Sequence, residues 1–311
     1  MREFAEGQEI DQVLLVRGGP RPKLGDRTGS VRASVAPGAD CCLQPGSVVR
    51  VKGRYTGGEL EVRSASAASE GEYDIADLLD GPPRTATGME ADLRELLATV
   101  QNPHLRALLD AVFGPSSPTW KQFRDAPAAK RYHQAYRHGL LEHSLTVAQA
   151  VSAISATFPG IDRDVAVTGA LLHDIGKLEA YTADPLAIDM TDLGKLQGEI
   201  PLGYYRIRRA IEDLPGFPEQ LAAAVLHIIL SHHGQLEHGS PVVPCTREAT
   251  LVHMIDNLGG RLGSFDRLEK GLQDGESWSR FDRALSGSAW FERVGQAAEP
   301  LAQTLPAASG E

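Results

Sequence analysis

The sequence is poor in cysteine and lacks the long apolar runs of a membrane protein. Its three cysteines are Cys41, Cys42 and Cys245; none forms a C-x-x-C pair, and the two adjacent ones are poorly placed to bridge each other. This usage fits a reducing compartment and predicts a cytoplasmic protein. Because there is no stretch of 18 apolar residues and no apolar core in the opening MREFAEGQEI, we expect neither a membrane span nor a secretory signal.

Net positive charge is also missing. The chain has 31 Lys and Arg against 41 Asp and Glu, a net charge of −10, which excludes a protein coated in basic surface. The charge is uneven, because residues 1–66 hold ten Lys and Arg against eight Asp and Glu, or +2, which leaves −12 for the remainder. Any contact with nucleic acid must therefore be local, through a basic groove on an acidic protein.

The 311 residues suggest about two domains. Residues 10–66 alternate short β-rich segments with Gly and Pro, which predicts about five strands in a small barrel. The strand segments are Val13–Val16, Ser30–Val35, Ser47–Lys52 and Glu59–Val62. A linker rich in Ser, Ala, Gly and Pro follows, with a short helix at Ile75–Leu79 and helices at Glu90–Val100 and Pro103–Phe113. Amphipathic helices then dominate the chain.

The stretch GALLHDIGK, residues 169–177, carries the strongest functional signal. An apolar run leads into His173 and Asp174, and Gly176 predicts the end of the helix as a glycine C-cap. An imidazole nitrogen and a carboxylate oxygen are a suitable ligand pair for a divalent transition metal. By itself the pair could equally be a solvated helix end, but other His and Asp residues recur in apolar segments.

Those residues lie on three further predicted helices. His143 has apolar helical neighbours, and His232 and His233 follow the apolar run Val225–Leu230. Asp256 lies in LVHMIDNLGGRL, where Leu251, Ile255, Leu258 and Leu262 form the predicted core stripe. A second stripe of His253, Asp256, Asn257 and Gly260 is either solvated or the wall of a cleft.

This order of His and Asp residues on helices resembles the HD-domain metal-dependent phosphohydrolases. The segments PAAKRYHQAYRHGLLEHSL, GALLHDIGK, LSHHGQLEHGSP and HMIDNL are similar to those of HD-domain 3′→5′ exoribonucleases of the YhaM type, and NPHLRALLDAVFG resembles that family's connecting segment. DRTGSVRA and PGSVVRVKGRYTGGELEV resemble an OB-fold nucleic-acid-binding domain. The resemblance covers about residues 10–270 and implies a multi-domain protein, an OB-like β-barrel followed by an all-α HD domain.

Together with the composition of the linker and of the last residues, this resemblance predicts four segments: an OB-like domain at 1–68, a linker with connecting helices at 69–125, the HD domain at 126–295 and a flexible tail at 296–311. The resemblance supplies the ligand assignments. It assigns His143, His173, Asp174 and Asp256 to a first metal site, and His232 and His233 to a second, with Asp174 bridging. Two-metal relatives have a further histidine where KLQGEIPLG places Glu199 here. Glutamate can also bind a metal through oxygen, so we expect one or two ions per chain.

Mixed imidazole and carboxylate ligation suits Mn²⁺, our first choice, or Fe²⁺ and Co²⁺, better than Mg²⁺. Such an ion lowers the pKa of its bound water and so favours attack on a phosphodiester. We expect Asp174 and Lys177 to be catalytic, Lys177 through a phosphate oxygen. The expected nucleic-acid contacts are Arg27, Arg32, Arg50, Lys52, Arg54, Arg137 and His138. Aromatic rings for base stacking are nearly absent from the barrel segment.

The resulting hypothesis is a metal-dependent 3′→5′ exoribonuclease that hydrolyses single-stranded RNA, with activity on single-stranded DNA left open. Two alternatives remain: an HD phosphohydrolase of small nucleotides whose barrel serves packing or assembly, and a nucleic-acid-binding module with a degraded HD site. Assembly into a homo-oligomer is also left open by the sequence.

Overall fold

The structure is a computed structural model. It describes residues 4–292 except for short gaps at residues 18–21, 38–42, 80, 131–133, 183, 185–187, 270 and 273–274. Cys41, Cys42 and the predicted tail at 296–311 lie outside the described residues. The chain divides after Gly263 into two compact units, and the domain limits predicted from the sequence stay a prediction. Of the helices that are described, none is long and apolar enough to cross a membrane.

Five strands form a closed N-terminal barrel. They are β1 (Glu9–Arg17), β2 (Lys23–Asp26), β3 (Gly29–Val35), β4 (Val48–Thr56) and β5 (Glu59–Ala67). Their order around the barrel is β1-β2-β3-β5-β4, with β3 and β5 parallel and β1 pairing antiparallel with β4. This five-stranded barrel confirms the predicted OB-like fold.

Alternation of side chains along the strands fills the barrel. Leu14, Val51 and Leu60 point into its core, while the intervening charged residues of β4 and β5 face solvent. The β4–β5 turn requires its two glycines, because Gly57 and Gly58 both have positive φ values, 61° and 80°. Strand β2 was not among the predicted segments, because its four residues include only one large apolar side chain.

Helices make up most of the rest of the chain. After α1 (Ile75–Leu78) come α2 (Ala86–Ala98), α3 (Pro103–Phe113), α4 (Pro118–Asp125), α5 (Gly139–Ser155), α6 (Arg163–Leu172), α7 (Lys177–Ala180), α8 (Asp192–Gln197), α9 (Glu199–Glu212), α10 (Glu219–Ser231) and α11 (Arg247–Glu269). Side-chain caps begin several of them: Asn102 accepts hydrogen bonds from two backbone N–H groups of α3, and Asp162 accepts one from Val165 in α6.

One apolar core joins these helices. Buried side chains of α2 to α4, such as Met89 and Phe123, belong to the same cluster as Leu141 of α5, Leu171 of α6 and Ile229 of α10. The connecting helices are therefore packed into the body of the helical domain. The predicted helices at Ile75–Leu79, Glu90–Val100 and Pro103–Phe113 are all present.

The expected role of Gly176 as a helix C-cap was wrong. Helix α6 ends at Leu172, and Gly176 has a right-handed φ of −69° immediately before α7. Its small size is needed for another reason. A Cβ at this position would lie 2.0 Å from the carbonyl oxygen of Glu199 and 2.4 Å from the amide nitrogen of Gly203. Glycine therefore allows the start of α9 to pack directly against the turn after His173 and Asp174.

The predicted core stripe of α11 was wrong in its second half. Val252 and Ile255 are buried, but Leu258 and Leu262 are 49% and 56% exposed. Only the first half of α11 packs against the core, so the regular spacing of leucines continues into a part of the helix that faces solvent. Asp256 lies in the first half, next to the buried Ile255.

Candidate metal centre

Helix α5 carries His143 on a face that is otherwise apolar. Leu140, Leu141 and Leu145 pack into the core around it and leave the imidazole 4% exposed. Its Nδ1 lies 3.1 Å from the amide oxygen of Gln134, which acts as the acceptor if Nδ1 carries the proton. The hydrogen bond thus leaves Nε2 as the ligand atom, directed toward the centre of the domain.

The His173-Asp174 pair lies in the turn after α6. The Nδ1 of His173 is 2.7 Å from the carbonyl oxygen of Ala170, three residues earlier. Carbonyls in the last turn of a helix lack intrahelical partners, so the imidazole satisfies one of them and is held in a single orientation. Both side chains are almost completely buried. Because α6 ends at Leu172, the side chains of His173 and Asp174 can converge, whereas neighbouring side chains within a helix point about 100° apart.

The His232-His233 pair repeats this arrangement at the end of α10. The Nδ1 of His232 is 2.8 Å from the carbonyl oxygen of Ile229, again three residues earlier. The Nδ1 of His233 is 2.8 Å from the carbonyl oxygen of His238 in the following 3₁₀ turn. Each histidine therefore has its Nε2 available for a ligand.

Asp256 and Glu199 come from the two remaining helices of the site. Asp256 Oδ1 on α11 lies 3.1 Å from Nε2 of His143 and 3.7 Å from Nε2 of His173. Glu199, the first residue of α9, places Oε1 3.4 Å from Nε2 of His233. The structure thus brings together all seven residues that the sequence predicts as metal ligands, although their role as ligands stays a prediction.

Asp174 lies between two groups of ligand atoms. His143, His173 and Asp256 form one group, and Glu199, His232 and His233 form the other. Asp174 Oδ2 is 3.2 Å from Nε2 of His143 and 3.3 Å from that of His173, whereas its Oδ1 is 3.5 Å from Nε2 of His232. Its two oxygens therefore face different groups, which is the geometry of a bridging carboxylate.

The buried charges shift each other's pKa values. Burial alone would raise the pKa of Asp174, but attraction to Lys177 and His173 holds it well below its usual range. The pKa of Asp256 is likewise held well below its usual range by hydrogen bonds to His143 and His173, against the effect of burial. In return, the carboxylates outweigh burial and raise the pKa of His173 to about 10. The centre therefore strongly favours positive charge among its carboxylates.

The donor set fits a divalent transition metal. Among the described residues, Nε2 of His232 is buried without a hydrogen-bond partner, so a cation would satisfy an atom that the protein leaves unsatisfied. Imidazole nitrogens mixed with carboxylate oxygens suit Mn²⁺, Fe²⁺, Co²⁺ and Zn²⁺ better than Mg²⁺. The centre also lies within a helical core, where its ligands hold fixed orientations.

Lys177 contacts a carboxylate at the centre. Its Nζ lies 2.7 Å from Asp174 Oδ2, and nearby Asp174 and Glu199 raise the pKa of the ammonium above its usual value despite burial. The expected contact of Lys177 with a phosphate oxygen stays a prediction. Because Lys177 is charged and already bound to Asp174, its first effect is to hold that carboxylate ionised and in place.

Two supporting residues were missed as functional residues. Gln134 orients His143 from a loop, and no sequence pattern marks it. His253 donates from Nδ1 to the backbone carbonyl of His232 at 2.8 Å if that nitrogen is protonated, and its ring fills the space beside Gly234, where a Cβ would lie 2.1 Å from it. A signal was present for His253, which precedes Asp256 by three residues on the predicted polar stripe. The hydrogen bond from His253 to His232 holds α11 against the end of α10.

The predicted basic residues of β4 all have partners, and two of the three pair with a carboxylate. Arg50 Nε lies 2.9 Å from Asp11 Oδ1, and Lys52 Nζ lies 3.5 Å from Asp11 Oδ2. Arg54 donates from Nε to the carbonyl oxygen of Gly7 at 3.1 Å. Period-2 alternation on β4 places all three on the barrel exterior, but their charges are less available than the sequence suggests.

The other predicted nucleic-acid contacts differ from one another. Arg27 and Arg32 are exposed and form no ion pair within the described part of the chain. Arg137 instead pairs with Asp125 at 3.2 Å, and His138 Nδ1 lies 2.7 Å from the carbonyl oxygen of Arg124. These last two contacts fix the residues directly before α5 against the end of α4, so they have a structural role whether or not RNA is bound.

Comparison with known proteins identifies the family. The HD domain model matches residues 140–260, which contain the centre. The chain is 30% identical over 310 residues, 94% of each chain, to "3′-5′ exoribonuclease YhaM" of Geobacillus sp. (strain WCH70). The chain belongs to the YhaM family. A second YhaM, from Bacillus subtilis (strain 168), is 28% identical over 293 residues, 88% of this chain and 92% of that protein. No solved structure matches.

Metal affinity in this YhaM-family protein should rise with pH. A metal takes the lone pair of His173 Nε2, and the carboxylates hold a proton there until about pH 10. Below that pH, binding must release the proton, so the apparent affinity for Mn²⁺ should increase by about tenfold per pH unit. Calorimetric titration at pH 6.5, 7 and 8 in buffers of different ionisation enthalpy measures both the affinity and the proton count. Binding that is independent of pH and releases no proton would contradict the assignment of His173.

Proposed function

We propose that this protein is a metal-dependent 3′→5′ exoribonuclease that acts on single-stranded RNA. The observation that carries the proposal is the pair of ligand groups joined by Asp174 within a YhaM-family helical domain. Both named relatives are 3′-5′ exoribonucleases, and they align with 94% and 88% of this chain. We further propose Mn²⁺ as the metal, because nitrogen and oxygen donors are mixed.

The residues of the chain have distinct roles in this reaction. His143, His173, Asp174 and Asp256 would hold one ion, and Glu199, His232 and His233 a second beside it. Divalent ions bound there supply an activated water and stabilise charge on the phosphate and the leaving oxygen. Lys177 keeps Asp174 ionised, and the backbone carbonyls behind His173 and His232 fix which imidazole nitrogen faces the ion.

The intact ligand set argues against a nucleic-acid-binding module with a degraded site. Glu199 replaces the histidine expected in two-metal relatives, yet its carboxylate points at His233 and its pKa is held below the usual value by Lys177 and His233, against burial. An ionised carboxylate at this position can serve as an oxygen ligand. We also propose a cytoplasmic location, which the exposed thiol of Cys245 supports, since it forms no disulfide within the described part of the chain.

Replacing Asp174 by Asn tests the proposed chemistry. The amide keeps the size of the side chain but removes the charge that faces both ligand groups, so RNA hydrolysis should fall by at least about a hundredfold. The substrate is an RNA oligomer labelled at either end: the wild type should release a 3′ label first and shorten the 5′-labelled strand progressively. Metal content after dialysis should fall in parallel.

Asp192→Asn is the matched control, because this aspartate is 96% exposed at the start of α8 and belongs to neither ligand group. It should retain wild-type activity and metal. Loss of the 5′ label first, or hydrolysis of mononucleotides with no attack on RNA, would exclude the proposed reaction. Equal activity of Asp174→Asn and wild type would exclude the proposed metal centre.

Arg27 and Arg32 are the barrel residues best placed to contact phosphate, because both are exposed without an ion pair among the described residues. Changing both to Ala should weaken RNA binding and reduce the logarithmic salt slope by about 0.7 for each lost contact. The paired double variant Arg50→Ala and Lys52→Ala is the comparison and should have a smaller effect. If the two double variants have the same salt slope as the wild type, the barrel does not contribute phosphate contacts.

A further inference from the structure

A short hairpin in the C-terminal unit presents two tryptophans side by side. We call residues 277–291 the aromatic hairpin. The N–H of Ser279 donates to the carbonyl of Ala289 at 2.8 Å, and that of Phe291 donates to the carbonyl of Ser277 at 2.8 Å. These bonds bracket the antiparallel pair of Trp278 and Trp290. Such a non-hydrogen-bonded pair brings two side chains close together on one face.

The aromatic rings of this hairpin face solvent. Trp278 is 61% exposed, Trp290 54% and Phe281 70%, whereas Ser279 and Ala289 between them are buried. The third tryptophan of the chain, Trp120, is only 7% exposed. Large exposed aromatic groups that cluster within 15 residues mark an interaction surface rather than a packing surface.

Available positive charge lies among these rings. Arg280 and Arg283 are exposed and form no ion pair within the described residues, while Asp282 between them is neutralised by Arg267 at 2.6 Å. The hairpin therefore offers two guanidinium groups that are free to meet anionic groups. This differs from β4 of the barrel, where the cations are paired, and from the barrel as a whole, where few rings are exposed.

We propose that the aromatic hairpin binds single-stranded RNA, with Trp278 and Trp290 stacking on bases and Arg280 and Arg283 contacting phosphates. The inference rests on the proposed exoribonuclease function. Aromatic faces combined with unpaired arginines are what sequence-independent binding of single strands requires, since every base can stack and every nucleotide carries a phosphate. Charge complementarity thus favours RNA over an apolar partner. The hairpin supplies the stacking that the barrel lacks.

Intrinsic fluorescence tests the proposal directly, because only Trp278 and Trp290 of the three tryptophans are exposed. An oligouridylate of about twelve nucleotides is titrated into the full-length protein in EDTA, which prevents hydrolysis. The wild type should show quenched tryptophan emission. The double variant Trp278→Ala and Trp290→Ala should bind at least about tenfold more weakly, and its remaining Trp120 emission should not respond.

Two further variants separate stacking from fold. Trp278→Phe with Trp290→Phe keeps the rings and should bind RNA within about threefold of the wild type. Phe158→Ala removes an exposed ring elsewhere, between α5 and α6, and should leave binding unchanged. Hydrolysis of a dinucleotide with Mn²⁺ should persist in all of them, so failure of the hairpin proposal is distinguishable from failure of the proposed function.

Unchanged RNA affinity in the double alanine variant would overturn the proposal. If light scattering then also shows a lower molecular mass for the variant than for the wild type, the hairpin joins copies of this chain instead of binding RNA. Weaker binding with unchanged mass and retained dinucleotide hydrolysis supports it.

Discussion

The buried carboxylate of Asp174 is the group on which the geometry of the centre depends. It is 3% exposed, and its oxygens lie 2.7–3.5 Å from Nζ of Lys177 and from the Nε2 atoms of His143, His173 and His232. An ionised group at this depth is strongly destabilising unless positive charge surrounds it. His143 of α5, His173 in the turn after α6 and Lys177 of α7 supply that charge, and a divalent ion would add to it. Charge compensation and metal binding are therefore served by the same residues.

Close packing brings these helices near enough to share one carboxylate. Gly176 allows the start of α9 to contact the turn after α6, which places Glu199 beside His233. Gly169 has a similar effect between α6 and α10, since a Cβ there would lie 2.3 Å from Cδ1 of Ile228. Gly169 thus sets the distance between α6 and α10, which end at the His173-Asp174 and His232-His233 pairs, and Gly176 sets the approach of α9 to the first of these pairs. The ligand geometry is in this sense fixed by packing.

The sequence predicted which His, Asp and Glu residues would lie together, because these residues have local signatures. The His173-Asp174 and His232-His233 pairs both follow apolar runs, so their position at helix ends could be predicted from periodicity, and the family resemblance supplied the order. Contacts between distant segments could not be read in this way. Asp11 neutralises Arg50 across 39 residues, Gly176 meets Glu199 on another helix, and burial of α11 stops before Leu258. Each of these depends on tertiary packing, which local periodicity does not contain.

The most direct test of this account is the location of bound metal. Crystals of the protein grown with Mn²⁺ should show, by anomalous diffraction, one peak among His143, His173 and Asp256 and a second among Glu199, His232 and His233. The peaks should lie about 3.5–4 Å apart with one oxygen of Asp174 directed at each. A peak that Asp174 does not contact, or ions bound only outside these two groups, would contradict the central role of this carboxylate.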